Sequence, residues 1–155
     1  MINKISSIIF NRPVPYQALL EKVNLNLFQQ IWRVLDRNGL AFEKFNSILD
    51  FGCGAGRFSR YFLQYAPTAR VSGCEVVPSL VNKCRKLLPR GEFFNSKAAP
   101  PLDVPDRSFD LIYSYSVFTH LTEANHIAWL KEFARVLKPG GVMLLTTHSY
   151  ECLRR

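Results

Sequence analysis

A chain of 155 residues that is 48% hydrophobic and carries 12 Phe has the apolar content of one domain around one core, which excludes a disordered polypeptide. Its net charge of +8 favours anionic partners without naming one. No apolar run approaches the ~18 residues of a spanning helix, and the opening M-I-N-K-I-S-S-I-I-F-N-R-P shows no signal-peptide cleavage site, so a cytoplasmic protein with no membrane span is expected.

Pro13 and Pro15 rule out regular helix at the start of the chain. From Tyr16 to Arg37, Leu20, Val23, Leu27, Ile31 and Val34 step by threes and fours. That spacing predicts one helix, or two broken near Asn24 to Asn26, closed by Asn38-Gly39. Residues 1–46 read as an N-terminal helical cap and residues 47–155 as the core domain.

Ile48 to Phe51 has the length and branching of a buried strand. Glycine follows at 52, 54 and 56, and then Phe58, Tyr61, Phe62 and Tyr65 recur at helical spacing. Strand, glycine loop and helix open an α/β nucleotide-binding unit. N–H groups at the start of such a helix favour a negative group. A dinucleotide fingerprint would need a third glycine where Arg57 stands, and no Walker loop is present. What stands is D-x-G-x-G-x-G, from Asp50 to Gly56.

That helix stops at Ala66-Pro67, and Ala69 to Glu75 reads as a second strand ending in a carboxylate. An acid about 20 residues on from the loop holds ribose hydroxyls in a nucleotide unit, because a carboxylate accepts two hydrogen bonds from a cis-diol. Val76 beside it suits one face of an adenine ring. Pro78 opens the next helix, with Leu80, Val81, Cys84, Leu87 and Leu88 inward and Lys83, Arg85 and Lys86 on a solvated face. Glu92 to Asn95 is a weak third strand; a proline-rich loop leads to a fourth over 108–116. Thr122 caps a helix whose buried face is Ile127, Leu130, Phe133, Ala134 and Leu137. L-K-P-G-G ends it, and Val142 to Thr147 is a fifth strand, apolar enough to be covered on both faces. Cys53, Cys74, Cys84 and Cys152 form no C-x-x-C pair and have no histidines at zinc spacing. Buried free thiols are expected, and no metal site.

Four phrases carry a resemblance: D-x-G-x-G-x-G at 50–56, L-x-x-P-D-x-S-F-D-L-I-Y-S at 102–114, S-V-F-T-H-L at 116–121 and R-V-L-K-P-G-G-V-M-L-L at 135–145. Together they resemble the class I S-adenosylmethionine-dependent methyltransferases, over roughly Ser47 to Thr147. The resemblance implies an α/β, Rossmann-like, mostly parallel sheet with helices on both faces, and S-adenosyl-L-methionine as cofactor. The family's sheet has seven strands, so this chain reads as a fragment lacking the C-terminal strands, or else as a reduced fold, with its fifth strand exposed for self-association. By resemblance, Asp50 with Gly52 and Gly54 holds the methionine end of the cofactor, Cys53 and Gly56 belong to the same cofactor-binding loop, Glu75 takes the ribose and Val76 the adenine face. Many members have an Asp after the third strand for the adenine amino group; here Asn95 or Ser96 stands in that neighbourhood. Ser114, Tyr115 and Ser116 line the methyl-transfer side, and His120 is the candidate general base ahead of His126 and His148. The expected activity is methyl transfer to a small-molecule acceptor. The alternatives are an RNA, DNA or protein methyltransferase, which the charge permits although S-Y-S-V replaces the [DN]-P-P-[YF] of many nucleic-acid enzymes, and a non-catalytic binding module.

Overall fold

The computed structural model describes residues 16–147, with side chains from residue 21 onward; Pro13, Pro15, His148 and Cys152 lie outside the described residues. The chain divides into two compact units, Met1–Gly39 and Leu40–Arg155.

In the first unit, α1 runs unbroken over Tyr16–Arg37. Its buried positions are Phe28, Ile31 and Leu35, whereas Val23 and Val34, expected inward, are exposed. Asn38 closes it by donating its side-chain amide to Val34 O at 2.7 Å, and Gly39 follows at φ +71°.

The second unit is built on β1 (Ser47–Phe51), β2 (Arg70–Glu75), β3 (Glu92–Asn95), β4 (Phe109–Ser114) and β5 (Leu137–Leu145). They form one sheet in the order β3-β2-β1-β4-β5, and every pairing is parallel. Its helices are α2 (Ser59–Tyr65), α3 (Pro78–Leu87) and α4 (Glu123–Val136). β1 is central and buried at every position, since it pairs with β2 on one side and β4 on the other. Side chains alternate across a strand, and that alternation assigns the layers. Leu49 and Phe51 join Ile112 beneath Trp129, Phe133 and Val136 of α4, with the Phe51 ring 4.5 Å from Trp129 and 4.9 Å from Phe133. On the opposite face, Tyr113 meets Phe58 at 5.3 Å and Phe62 of α2 at 5.4 Å. α3 adds Val81 and Cys84 to a smaller cluster with Cys53 and Phe93.

Three expectations are corrected. The buried face of α4 is Trp129, Glu132, Phe133 and Val136, while Ile127 and Leu130 are about half exposed and Ala134 is exposed. The helix is rotated so that its aromatics, rather than its aliphatics, meet Phe51. Leu87 of α3 is exposed. β5 starts at Leu137 instead of Val142, because the chain enters the sheet directly from α4 and shifts register between Phe109 and Leu111. Gly140 takes φ +77°, and a Cβ on Gly141 would lie 2.9 Å from Lys138 O, so this irregularity needs its two glycines.

A polar tie closes the end of the sheet away from the glycine loop. Asp110 Oδ2 accepts from Asn46 N, Ser47 N and the Ser47 hydroxyl at 2.8–2.9 Å. Lys138 Nζ sits 2.9 Å from Asp110 Oδ1 and donates to Ser47 Oγ at 2.9 Å. Burial would raise the Asp110 carboxyl, but these donors outweigh it and hold it below the ordinary carboxylate range. A lowered folded-state pKa gives stability that is present at neutral pH and lost as pH falls through that pKa. Asp110→Ala should therefore cost ~1–3 kcal/mol at pH 7 in urea unfolding, with the deficit shrinking in acid. A deficit independent of pH would show that shape, not charge, is what the tie supplies.

Candidate functional site

The strand order reverses direction between β1 and β4, and in open parallel sheets ligands bind outside the carboxyl ends of the strands at such a switch point. The two loops that leave there are residues 52–58 after β1 and residues 115–122 after β4. Val117 brings them together: a Cβ on Gly52 would fall 2.3 Å from its Cγ2. Gly52 therefore serves packing. Gly54, at φ +54°, has nothing within 4 Å of where a Cβ would stand, so this stretch of backbone faces open space.

The loop's own N–H groups are mostly committed. Gly52 N and Cys53 N donate to Cys74 O at 2.9 and 3.0 Å, and Gly56 N donates to Cys53 O at 2.9 Å. Gly54 N donates to Glu75 Oε2 at 3.0 Å. Glu75 Oε1 accepts from Val76 N and Val77 N at 2.8 and 3.2 Å. A carboxylate has about four lone-pair sites, so Glu75 retains one place, on Oε2, while these bonds stand. Val76 and Val77 beside it are exposed. Asn95 Nδ2 and Ser96 N both donate to Glu75 O, at 3.3 and 3.0 Å, which joins the end of β3 to the same corner.

The helix read from the spacing of Phe58, Tyr61, Phe62 and Tyr65 begins at Ser59, and its start faces a negative group belonging to the protein itself. Asp50, only 2% exposed, accepts from the Ser59 hydroxyl at 2.6 Å. Burial pushes the Asp50 carboxyl up to about 6, hydrogen bonds from the Ser59 side chain and backbone oppose the rise, and the charge of Glu75 adds to it. Ser59 was not singled out from the sequence. Its only signal is a hydroxyl in the first turn after an acid-glycine motif.

At the end of β4, the hydroxyls of Tyr113, Ser114 and Thr119 are buried without a hydrogen-bond partner among the described residues. Tyr115 lies 5.0 Å from Phe58, and the Arg57 guanidinium sits over both rings at 5.1 and 5.3 Å. Ser116 takes φ +59° and donates its N–H to Thr146 Oγ1 at 2.7 Å. His120 ends the short 3-10 turn Phe118–His120, exposed, with its imidazole making no hydrogen bond among the described residues. His126 Nε2 meets Phe118 O; a carbonyl only accepts, so that nitrogen carries the proton and the ring is tied to the turn. Cys53, Cys74 and Cys84 are buried free thiols, each pushed up first by burial, and are therefore neutral. Among the described residues no cluster of three or more His, Cys, Asp or Glu is placed to hold a metal.

The geometry brings Asp50, Gly52, Cys53, Gly54, Gly56, Glu75, Asn95 and Ser96 into contiguous loops, with Ser114 to Ser116 leaving the neighbouring strand. Residues 48–141 match the methyltransferase domain family. An uncharacterized methyltransferase of Schizosaccharomyces pombe is 33% identical over 109 residues, covering 64% of this chain and 38% of that protein. Trans-aconitate 2-methyltransferase of Methylobacterium radiotolerans is 34% identical over 95 residues, covering 61% of this chain and 35% of that one. A S-adenosylmethionine-dependent methyltransferase of Aquifex aeolicus superposes with a TM-score of 0.57 at 28% identity, over 64% of this chain and 54% of that one. A Pyrococcus horikoshii protein superposes with a TM-score of 0.66 at 24% identity, over 81% and 60%, a likeness of fold. The chain thus spans well under half the length of these two curated relatives.

The buried Asp50 gives a pH test. Its folded-state carboxyl titrates above that of the unfolded chain, so ionising it opposes folding, and stability falls as pH rises through about 6. Asp50→Asn removes that loss while keeping an acceptor for Ser59. The variant should gain ~2–3 kcal/mol on the ligand-free wild type between about pH 4 and pH 8, by urea unfolding. A difference that does not change with pH would mean that Asp50 ionises in the fold as readily as in the unfolded chain.

Proposed function

This chain belongs to the methyltransferase domain family, and from that membership we propose that it binds S-adenosylmethionine and transfers its methyl group to a small-molecule acceptor. The contact that carries the reading is Glu75 Oε2 on Gly54 N, which sets the acid at the end of β2 against the glycine loop with one lone-pair place left for a ribose hydroxyl. The residues suit the cofactor in four further ways. Gly54 leaves room for close approach of a ligand to the backbone. Val76 and Val77 offer exposed apolar surface beside the acid for a nucleobase. The Ser114 hydroxyl is buried at the strand end and lacks a partner among the described residues. Asp50 is an anion with no ion-pair partner among the described residues, which suits a ligand carrying a sulfonium and an ammonium. At 2% exposure, Asp50 acts from behind the loop, through its charge and its hold on Ser59.

When bound, the cofactor supplies an activated methyl group, so the protein's work is to orient the acceptor and take its proton where one must leave. Ser114, Tyr115 and Ser116 line the acceptor side, and His120 is the general base for acceptors that need one. The relatives named trans-aconitate 2-methyltransferase act on a small carboxylic acid, which supports a small-molecule acceptor here.

Calorimetry should show S-adenosylhomocysteine binding and no NAD binding, because Arg57 replaces the third dinucleotide glycine. Binding of NAD without any adenosyl ligand would sink the proposal. Glu75→Ala should weaken S-adenosylhomocysteine by ~1–3 kcal/mol, the cost of losing a charge-assisted hydrogen bond. An unchanged dissociation constant in a folded variant removes Glu75 from the site. His120→Ala should lower kcat by about 100-fold or more, with the cofactor KM unmoved. An unchanged kcat would leave His120 as a surface residue.

A further inference from the structure

Beyond β3 lies a cleft of about 400 Å3 lined by Asn95, Ser96, Lys97, Pro101, Leu102 and Asp103. One wall is the end of β3, tied to Glu75 O through Asn95 and Ser96. The other wall is the loop between β3 and β4, whose backbone has no sheet or helix to satisfy it. α4 satisfies it from below. Trp129 Nε1 donates to Ala98 O at 3.3 Å, and Glu132 Oε1 accepts from Leu102 N at 2.8 Å. Arg135 spends all five guanidinium N–H groups here. Nη2 goes to Leu102 O at 3.1 Å and Glu132 Oε1 at 2.6 Å, Nη1 to Val104 O at 3.0 Å and Asp106 Oδ1 at 2.6 Å, and Nε to Glu132 Oε2 at 3.0 Å. Leu102, a cleft-lining residue, is thus gripped at both its N–H and its C=O.

We propose that Trp129, Glu132 and Arg135 are positioning residues for the nucleobase end of the cofactor, setting the width of this cleft by fixing the loop that forms its far wall. The inference rests on the cofactor reading above. Two residues that line the cleft, Asn95 and Ser96, donate to the backbone carbonyl of the acid assigned to the ribose, which sets the cleft beside that acid. Leu102, only 4% exposed, anchors the loop by burial alone. The hydrogen-bonded grip adds register, which a slot that must match one base needs and a merely covered core does not.

The test compares S-adenosylhomocysteine with its hypoxanthine counterpart, S-inosylhomocysteine, by calorimetry on the full chain. Arg135→Lys keeps the charge and loses the fork. It should weaken S-adenosylhomocysteine by about tenfold and bring the preference for adenine over hypoxanthine down by about threefold or more. Trp129→Phe keeps one ring in the core, loses the bond to Ala98 O and leaves a small cavity beside Phe51 and Phe133. It should move both quantities the same way by about two- to threefold, and it serves where Arg135→Lys does not fold. Folded variants with unchanged base preference, even where both ligands weaken by the same factor, overturn the inference alone. A wild-type chain that binds neither ligand overturns the cofactor reading, and this inference with it.

Discussion

Because Ser47–Phe51 carries a parallel partner on each edge and is buried along its whole length, its chain has one way out, past its carboxyl end into the crevice between β1 and β4. That exit is where a residue with a side chain would collide. Gly52 is crowded by Val117 from the β4 side, and a Cβ on Gly56 would stand 2.6 Å from Leu88 Cδ1. Two of the three motif glycines are therefore crowded as well as left-handed, at φ +72° and +78°, and only Gly54 is left facing open space. The motif is less a phosphate cradle than a loop pressed flat on both flanks so that its middle can be approached.

The electrostatics follow from the same crowding. A carboxylate at the buried end of a central strand must find donors, and Ser59 supplies them from the first turn of α2. The helix start that would otherwise attract an external anion is thereby met internally, and the acids Asp50 and Glu75 share this corner with the Arg57 guanidinium of the same loop.

Much of this was legible from residue order. Glycine and proline punctuate the chain at Gly52, Pro67, Pro78 and Gly140, and strand ends carrying Asp50 and Glu75 could be located from that punctuation. The cap at Thr122 was readable too, and its hydroxyl accepts from Asn125 N at 3.4 Å. Ser59 was not, because a serine after a glycine loop has no periodicity to mark it. Nor was the start of β5, since K-P-G-G reads as a turn and becomes a sheet irregularity only when Asp110 O and Leu137 crowd Gly141. The lone-pair count at Glu75 was likewise invisible, for it depends on which backbone N–H groups the two loops turn inward.

α4 shows why periodicity alone misassigned a face. An amphipathic helix over a sheet is read by placing its aliphatic residues inward, and Ile127 and Leu130 fit that stripe. This helix covers two different surfaces at once. Towards the sheet it needs bulk, which Trp129, Phe133 and Val136 provide. Towards the loop between β3 and β4 it needs donors and acceptors, because six or more residues of irregular backbone run over it with their polar groups otherwise unmet. Glu132 and Arg135 meet that need, so a glutamate sits at 7% exposure while two aliphatic residues are left near half exposure. Burying Glu132 costs desolvation, but its half-buried partner Arg135 has every donor matched, which is the condition under which such a pair is tolerated. Glu132 and Arg135 turn inward for the same reason that their neighbours are aromatic, while Glu123 and Lys131 of the same helix stay exposed: each inward residue is complementary to what lies beneath it, and only the sheet beneath is apolar.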